Sequence, residues 1–423
     1  VRKKRRGKMR DKKTFKRSML VLMVMSVMIF AMTITAAAAS TVTGVKQKDA
    51  YLKSVEIEWD SEYGQYYMVG ISSTKNGTYT MVSSYASKSS SKSIYDLQAG
   101  KTYYVKVYRT SSDGEKIYAT SSPISVVTVP DADSLTSDNI KQTAGSRKSV
   151  TFKWPKVSGA TGYKIVTKSG KSKYVNTNSA TVSASAGKST YVYVYPYRKS
   201  ASGYVALRST NYAYSGSLYA SPATPTNLAD TEKSNLTWKP TKSSEVTVKW
   251  NYNYDYYSPD GYQAQVYSVD GKKKLAGIKS LTSRSFTISS SAVRKAITNK
   301  GFRVRVRAYK KNDGATIYGS WTAWKVVIPQ AATRLSKVSS SSAKVKWSKV
   351  ANVDHYVMYV SRDTGYSDSG NWTRKVLPAS TTSYTIKGLT KYKDFAVYVI
   401  PVVKINGKKY NAAKSWYVYG YVY

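Results

Sequence analysis

One five-residue pattern returns four times along this chain at nearly constant spacing. The stretches "VEIEW" ending at Trp59, "VTFKW" at Trp154, "VTVKW" at Trp250 and "AKVKW" at Trp347 lie 95, 96 and 97 residues apart. In each, apolar residues alternate with charged or hydroxyl residues and lead into tryptophan. A period of two belongs to a strand buried on one face. The longer period divides the chain into units, and a repeat of this kind governs every later assignment.

Each tryptophan is followed by a second alternating run that opens on tyrosine: "YMVGI" at Tyr67, "YKIV" at Tyr163, "YQAQVY" at Tyr262 and "YVMYV" at Tyr356. A third shared run comes later, "YYVKVY" from Tyr103, "YVYVY" from Tyr191, "FRVRVRAY" from Phe302 and "FAVYVI" from Phe395. Tight-turn dipeptides then follow, Asp113-Gly114, Ser202-Gly203, Asp313-Gly314 and Asn406-Gly407. Asn-Gly and Asp-Gly between alternating runs signal hairpins, because both central residues of a type I′ turn need positive φ. Pro130, Pro222, Pro225 and Pro329 punctuate the joins, where a strand cannot continue. The expected domains are 41–130, 131–222, 223–329 and 330–423, each a β-sandwich around its tryptophan.

The segment "SVTFKWPKVSGATGYKIV", Ser149 to Val166, resembles the fibronectin type III module, in which a second-strand tryptophan is followed by a third-strand tyrosine. The last unit sets Leu389 six residues before Phe395 and the first sets Leu97 six before Tyr103, as that family sets a leucine before its sixth-strand aromatic. The resemblance spans 41–423. It implies an all-β fold class of four tandem immunoglobulin-like (fibronectin type III) β-sandwiches, with Trp59, Trp154, Trp250 and Trp347 in their cores. Two units depart from the pattern. Ser185 stands at the leucine position of the second, and "SSSAVRKAI" around Ala296 reads as a short helical insertion in the third. The second unit's "YVYVY" is apolar on both faces, so pattern alone leaves its register open.

An export signal precedes the repeats. Arg2 to Arg17 carries eleven bases against one acid, an apolar run extends from Met19 to Ala36, and "TAAAAS" offers a small-residue cleavage site ending at Ala38 or Ala39. Residues 1–40 are therefore read as a signal peptide. The rival reading is an uncleaved anchor, since the run nears the length that crosses a bilayer. No LPxTG-like sorting sequence is present, so covalent wall attachment by that route is not expected. The chain contains no cysteine, which removes disulfides, thiolate nucleophiles and cysteine zinc sites.

Catalysis finds little support in the residues. His355 is the sole histidine, between Asp354 and Tyr356 at the start of a strand, and reads as a surface residue. Glu56 and Glu58 share a strand face about 7 Å apart, but alternation with Val55, Ile57 and Trp59 makes them its wet side. No phosphate loop, calcium loop, HExxH segment or RGD triplet is present. A non-enzyme is expected, with no catalytic residue, metal or other cofactor.

Charge and aromatic content point instead to binding. Beyond residue 40 the chain carries 56 bases and 22 acids, and the four units have net charges of +2, +10, +11 and +11. In "FRVRVRAY" the core parity of Phe302, Val304 and Val306 sets Arg303, Arg305 and Arg307 on the opposite face, and Lys272, Lys273 and Lys274 occupy a nearby turn. Guanidinium forks match phosphate and carboxylate. The polyanion reading stands beside a plainer one, a solvated sheet face whose charge protects its edges. The terminal run "SWYVYGYVY" sets Tyr417, Tyr419, Tyr421 and Tyr423 on one face and Val418, Gly420 and Val422 on the other; the valines are expected to face the core and the tyrosines to offer an aromatic contact surface. Trp238, Trp321, Trp324, Trp372 and Trp416 are unplaced by the repeat, and "NYNYDYYSPDGY", Asn251 to Tyr262, is a candidate contact loop.

These features describe a secreted or cell-surface bacterial protein acting in binding, adhesion or spacing. The expected partner is a cell-wall or extracellular polyanion or glycan, or a surface protein. No small-molecule substrate is expected, and membrane contact only through the N-terminal segment if it is uncleaved. A dedicated binder of teichoic acid, acidic polysaccharide or nucleic acid, and a scaffold for a separate enzyme, are the alternatives.

Overall fold

The computed structural model describes residues 33–34, 41–228, 246–253, 255–362, 372–412, 414 and 417–423. The expected signal segment lies outside them, apart from the backbone of Thr33–Ile34, which runs parallel beside Lys116–Ile117. Trp238 and Trp416 also lie outside. Two compact units are present: one takes the described residues up to Pro130 with Arg198–Leu207, the other Asp131–Tyr197 with Arg208–Tyr423.

In the first unit, Lys46–Ala50, Val55–Glu58 and Ser91–Ile94 form one antiparallel sheet. Tyr66–Ser72 and Thr102–Thr110 are central to the other, with Thr80–Met81, Lys116–Thr120 and Ile124–Val127 beside them. Alternation decides which face is buried. Val55 and Ile57 are buried against Trp59, Val69, Val105, Val107 and Val126, whereas Glu56 and Glu58 turn outward and pair with Lys48 and Lys46.

The second unit contains three further sandwiches. One sets Lys141–Gly145, Ser149–Lys153 and Ser179–Ser183 against Ser172–Val175, Gly162–Thr167, Val192–Lys199 and Ala213–Tyr214. The next sets Val246–Lys249 and Ser285–Ile288 against Lys274–Leu281, Gly261–Ser268, Phe302–Asn312, Ala315–Tyr318 and Lys325–Val327. In the last, Thr333–Val338, Ser342–Trp347 and Ser383–Lys387 face Trp372–Pro378, Val353–Arg362, Asp394–Ile405, Lys408–Asn411 and Val418–Tyr421. Each tryptophan of the repeat packs on the tyrosine that opens the next run: Trp59 on Tyr67, Trp154 on Tyr163, Trp250 on Tyr262 and Trp347 on Tyr356, at 5.1 to 5.7 Å between ring centroids.

Tertiary packing settles the open register. Val192 and Val194 are fully buried, so Tyr191, Tyr193 and Tyr195 stand on the outer face. The helical insertion forms over Ser291–Ile297 and anchors through Ile297 in the third core. The turn expectation needs correction for two hairpins. Asp313 and Asn406 share positive φ with the glycines after them, as type I′ requires, but at Asp113-Gly114 and Ser202-Gly203 only the glycine is positive. There Gly114 N–H donates to Ser111 O and Gly203 N–H to Ser200 O, a type I turn ending in a left-handed glycine. These longer loops place the non-glycine residue in ordinary helical space.

A buried glutamine recurs where the first strand of a sandwich bulges. Gln47 Nε2 donates to Val127 O while its Oε1 accepts from Val127 N–H. Gln142 does the same with Tyr219 O and N–H. The side-chain amide thus pairs, as a peptide group would, with a strand other than the one across the bulge. Gln142 also ties neighbouring sandwiches together: its backbone N–H donates to Asp313 Oδ2 at 3.0 Å, and Asn312 Nδ2 donates to its Oε1 at 3.0 Å. Between the last two sandwiches Val269, Ile328, Val350, Val403, Ile405 and Ala412 form a separate apolar cluster.

Candidate functional site

Arg303, Arg305 and Arg307 do share the outer face of Phe302–Asn312, since Phe302, Val304 and Val306 are fully buried. Their planes are not open to solvent. Seven side chains alternate as a ladder of rings and cations: Tyr267, Arg303, Trp324, Arg305, Trp321, Arg307 and Tyr318. The guanidinium carbon of Arg303 lies 4.7 Å from the Trp324 centroid; Arg305 lies 4.4 and 4.7 Å from Trp324 and Trp321; Arg307 lies 4.6 Å from Trp321 and 4.0 Å from Tyr318. Such contacts use the negative face of the ring quadrupole.

The edges of two guanidiniums are also engaged. Arg305 donates through Nε and Nη2 to Gln265 Oε1 at 2.9 and 2.8 Å, and Arg307 in the same way to Gln263 Oε1 at 2.9 and 2.7 Å. Register explains the match, because Gln265 lies opposite Arg305 and Gln263 opposite Arg307. Burial holds the Arg307 guanidinium below its ordinary pKa. The lysine turn is close: a Cβ added at Gly271 would meet Arg303 Nη2, so the loop carrying Lys272 and Lys273 lies against the first rung. The expected juxtaposition of the arginines with Lys272–Lys274 therefore holds at that end. What pattern missed was the role of Trp321 and Trp324, which lie outside regular strand and carry no alternation; "QAQ" opposite "RVRVR" was the readable signal.

The equivalent sheet faces of two other sandwiches carry clusters of rings. Tyr191, Tyr193, Tyr195, Tyr212 and Tyr214 contact one another at 5.0 to 5.8 Å, and Lys168 lies over Tyr191. On the last sandwich Tyr359 stacks on Tyr398 at 4.9 Å and Trp372 on Tyr417 at 5.5 Å, with Lys414 over Tyr417. Tyr419 and Tyr423 are the most open of the terminal row, 64% and 78% exposed, and Tyr421 is partly covered. Val422 is buried and Val418 packs against the core.

Other candidates separate. His355 Nδ1 lies 2.7 Å from Asp354 Oδ2, but the same carboxylate oxygen takes Lys409 Nζ at 3.0 Å. Hydrogen bonds from His355 and Lys409 hold the Asp354 pKa below its usual value. Among the described residues no group of three or more His, Cys, Asp or Glu is placed to hold a metal ion. The contact loop Asn251 to Tyr262, apart from Tyr254 which lies outside the described residues, turns inward: Tyr252 is buried, and Tyr257 donates to Ala220 O.

The fold is a tandem array of fibronectin type III-like sandwiches. The strand order of each sandwich carries that assignment, with the tryptophan strand in a smaller sheet facing a larger one. No family model matches the chain, and no curated protein is similar to it. Among solved structures it is similar to a chicken contactin segment of fibronectin domains, at 11% identity over 90% of this chain and 97% of that one, with a TM-score of 0.20. A two-domain fibronectin type III segment of chicken tenascin is similar at 18% identity over 46% of this chain and 97% of that one, with a TM-score of 0.25.

Proposed function

We propose that this fibronectin type III-like array is a non-catalytic cell-surface protein that holds an acidic glycan on the outer faces of its larger sheets. The observation that carries the reading is the recurrence of contiguous rings with lysines over them on corresponding faces, Tyr191 to Tyr195 with Lys168 and Tyr359, Tyr398 and Tyr417 with Lys414. Sugar rings stack on such faces, and the +10 and +11 charges of these domains favour an anionic polymer over a neutral one. Secretion through the N-terminal signal places the array where wall polymers are met.

The arginine ladder supports a second role, as a spacer. Its rings and guanidiniums satisfy one another, which ties the irregular segment holding Trp321 and Trp324 to the sheet and stiffens the third sandwich. The polyanion assignment of Arg303, Arg305 and Arg307 then rests on the outward guanidinium edges and on Lys272, Lys273 and Lys274.

Retention of the purified chain on acidic cell-wall polysaccharide across a salt series tests the glycan reading. Binding that weakens steadily as salt rises is expected, since exposed charge pairs are screened. Absence of retention at the lowest salt would sink it.

A further inference from the structure

The smaller sheet of the fourth sandwich carries only positive charge on its outer face. Leu335, Val338, Ala343, Val345, Tyr384 and Ile386 turn inward and pack in or against the core. Parity therefore sets Arg334, Lys337, Lys344, Lys346 and Lys387 on the other side, and all five are exposed. The bulge between Leu335 and Lys337 is what brings Lys337 onto the same face as Arg334 across an odd interval. Ser342, Ser383 and Thr385 fill the outward positions opposite Lys387, Lys346 and Lys344.

Like charges stand directly across this ladder. Arg334 is paired with Lys346 and Lys337 with Lys344, an arrangement that costs stability. The first sandwich treats the same positions in the opposite way. Its strand leading to Trp59 presents Glu56 and Glu58 where the strand leading to Trp347 presents Lys344 and Lys346, and those glutamates take Lys48 at 2.7 Å and Lys46 at 3.1 Å. One repeat thus neutralises this face and another leaves it charged. Ion pairs of the fourth sandwich lie elsewhere, at Asp354 with His355 and Lys409, and among the described residues none of the five cations has an acidic partner.

We propose that this face binds a linear polyol phosphate, an acyclic chain of phosphodiesters. Outward residues recur about every 7 Å along a strand, and a flexible chain can lay successive phosphates along the rows of Lys344 with Lys346 and of Arg334 with Lys337. Lysine meets phosphate as a point charge and demands no single orientation, which suits a polymer without rigid geometry. Nucleic acid fits less well. No aromatic residue occupies an outward position of these strands, so a base gains no stacking there, and a flat sheet touches a duplex tangentially rather than entering its groove. The site is independent of the proposed glycan surfaces, which are the ring-bearing faces of the larger sheets.

Calorimetric titration of the full chain with a synthetic glycerol phosphate oligomer tests this. Lys344→Glu with Lys346→Glu copies the first sandwich. It should weaken binding by a factor of about ten or more, since each cation lost forgoes counterion release at a phosphate, and it should raise the thermal midpoint of the fourth sandwich by relieving both like-charge pairs. A loss of affinity in a chain that melts higher cannot come from unfolding. Lys295→Glu with Lys300→Glu makes the same charge change on exposed residues of the third sandwich and should leave affinity nearly unchanged. If this control weakens binding equally, or the first variant does not weaken it, the face is overturned as a site. Should the first variant melt lower, Lys344→Gln with Lys346→Gln is read in its place, with a loss of affinity again required. A single-stranded oligonucleotide of equal phosphate number that binds more tightly than the oligomer overturns the polyol phosphate as ligand. Acidic polysaccharide should bind the first variant as well as it binds the control; a selective loss of polysaccharide with oligomer binding intact overturns the phosphate assignment.

Discussion

The guanidinium of Arg305 is held between two indoles, 4.4 Å from the centroid of Trp324 on one side and 4.7 Å from that of Trp321 on the other. Each contact is worth about 1 kcal/mol when partly desolvated. Trp321→Ala removes one face from Arg305 and one from Arg307, so the third sandwich should lose about 2 kcal/mol. Urea denaturation followed by fluorescence reads the loss. Arg305→Lys should show a smaller decrease, because lysine keeps the charge but not the planar fork on Gln265. An unchanged midpoint in Trp321→Ala would make the ladder a surface ornament.

The four core indoles share a second property. Trp59, Trp154, Trp250 and Trp347 bury their Nε1 atoms without a hydrogen-bond partner among the described residues. Removing a buried N–H that has no acceptor relieves part of a desolvation cost. Trp154→Phe should therefore cost only about 1 kcal/mol, whereas Trp154→Ala should cost about 3–5 kcal/mol through the cavity it leaves. Chemical denaturation of both variants, compared at equal m-value, measures the difference.

Gly420 separates fold from surface in the terminal strand. A Cβ there would lie 2.4 Å from the Phe395 ring and 2.8 Å from Leu335, and neither can move without disturbing the core. Gly420→Val should destabilise the fourth sandwich by about 2–3 kcal/mol, as overpacking does. Tyr419→Ser with Tyr423→Ser should leave its thermal midpoint nearly unchanged. If the serine variant melts early, the outer tyrosines hold the sheet rather than present a surface.

Gln142 joins two strands of its own sandwich and receives Asn312 from the next. Gln142→Ala removes both partners of the half-buried Tyr219 peptide, at a cost of about 1 kcal/mol. Hydrogen exchange should speed at Tyr219 and near Asn312 together. Faster exchange at Tyr219 alone would show that the contact between sandwiches is not coupled to the clasp.

Alkaline pH should unfold the chain through its buried phenols. Burial pushes Tyr108 and Tyr252 up to about 12, against about 10 for an exposed tyrosine. The unfolded chain gives up these protons first, so their contribution is fully present below pH of about 10 and is lost as pH rises toward 12. Urea midpoints should fall through that window while tyrosinate absorbance rises with the unfolding transition. Full tyrosinate formation before any loss of structure would contradict the burial.

Much of this molecule was determined by its sequence alone. Alternation into Trp59, Trp154, Trp250 and Trp347 defines strands because a pleated strand has only two faces, and hydrophobicity selects the buried one. The parity of Phe302, Val304 and Val306 put three arginines outward, and that of Val418 and Val422 put the terminal tyrosines outward, for the same reason. Tertiary structure alone decided what those outward side chains meet. "YVYVY" had two apolar faces, and only the facing sheet selected Val192 and Val194. Trp321 and Trp324 follow no strand period, yet the fold lays them between Arg303, Arg305 and Arg307. Local period reports which side of a strand is buried; contacts between segments far apart in the chain depend on how sheets are laid together, and no short stretch of sequence encodes that.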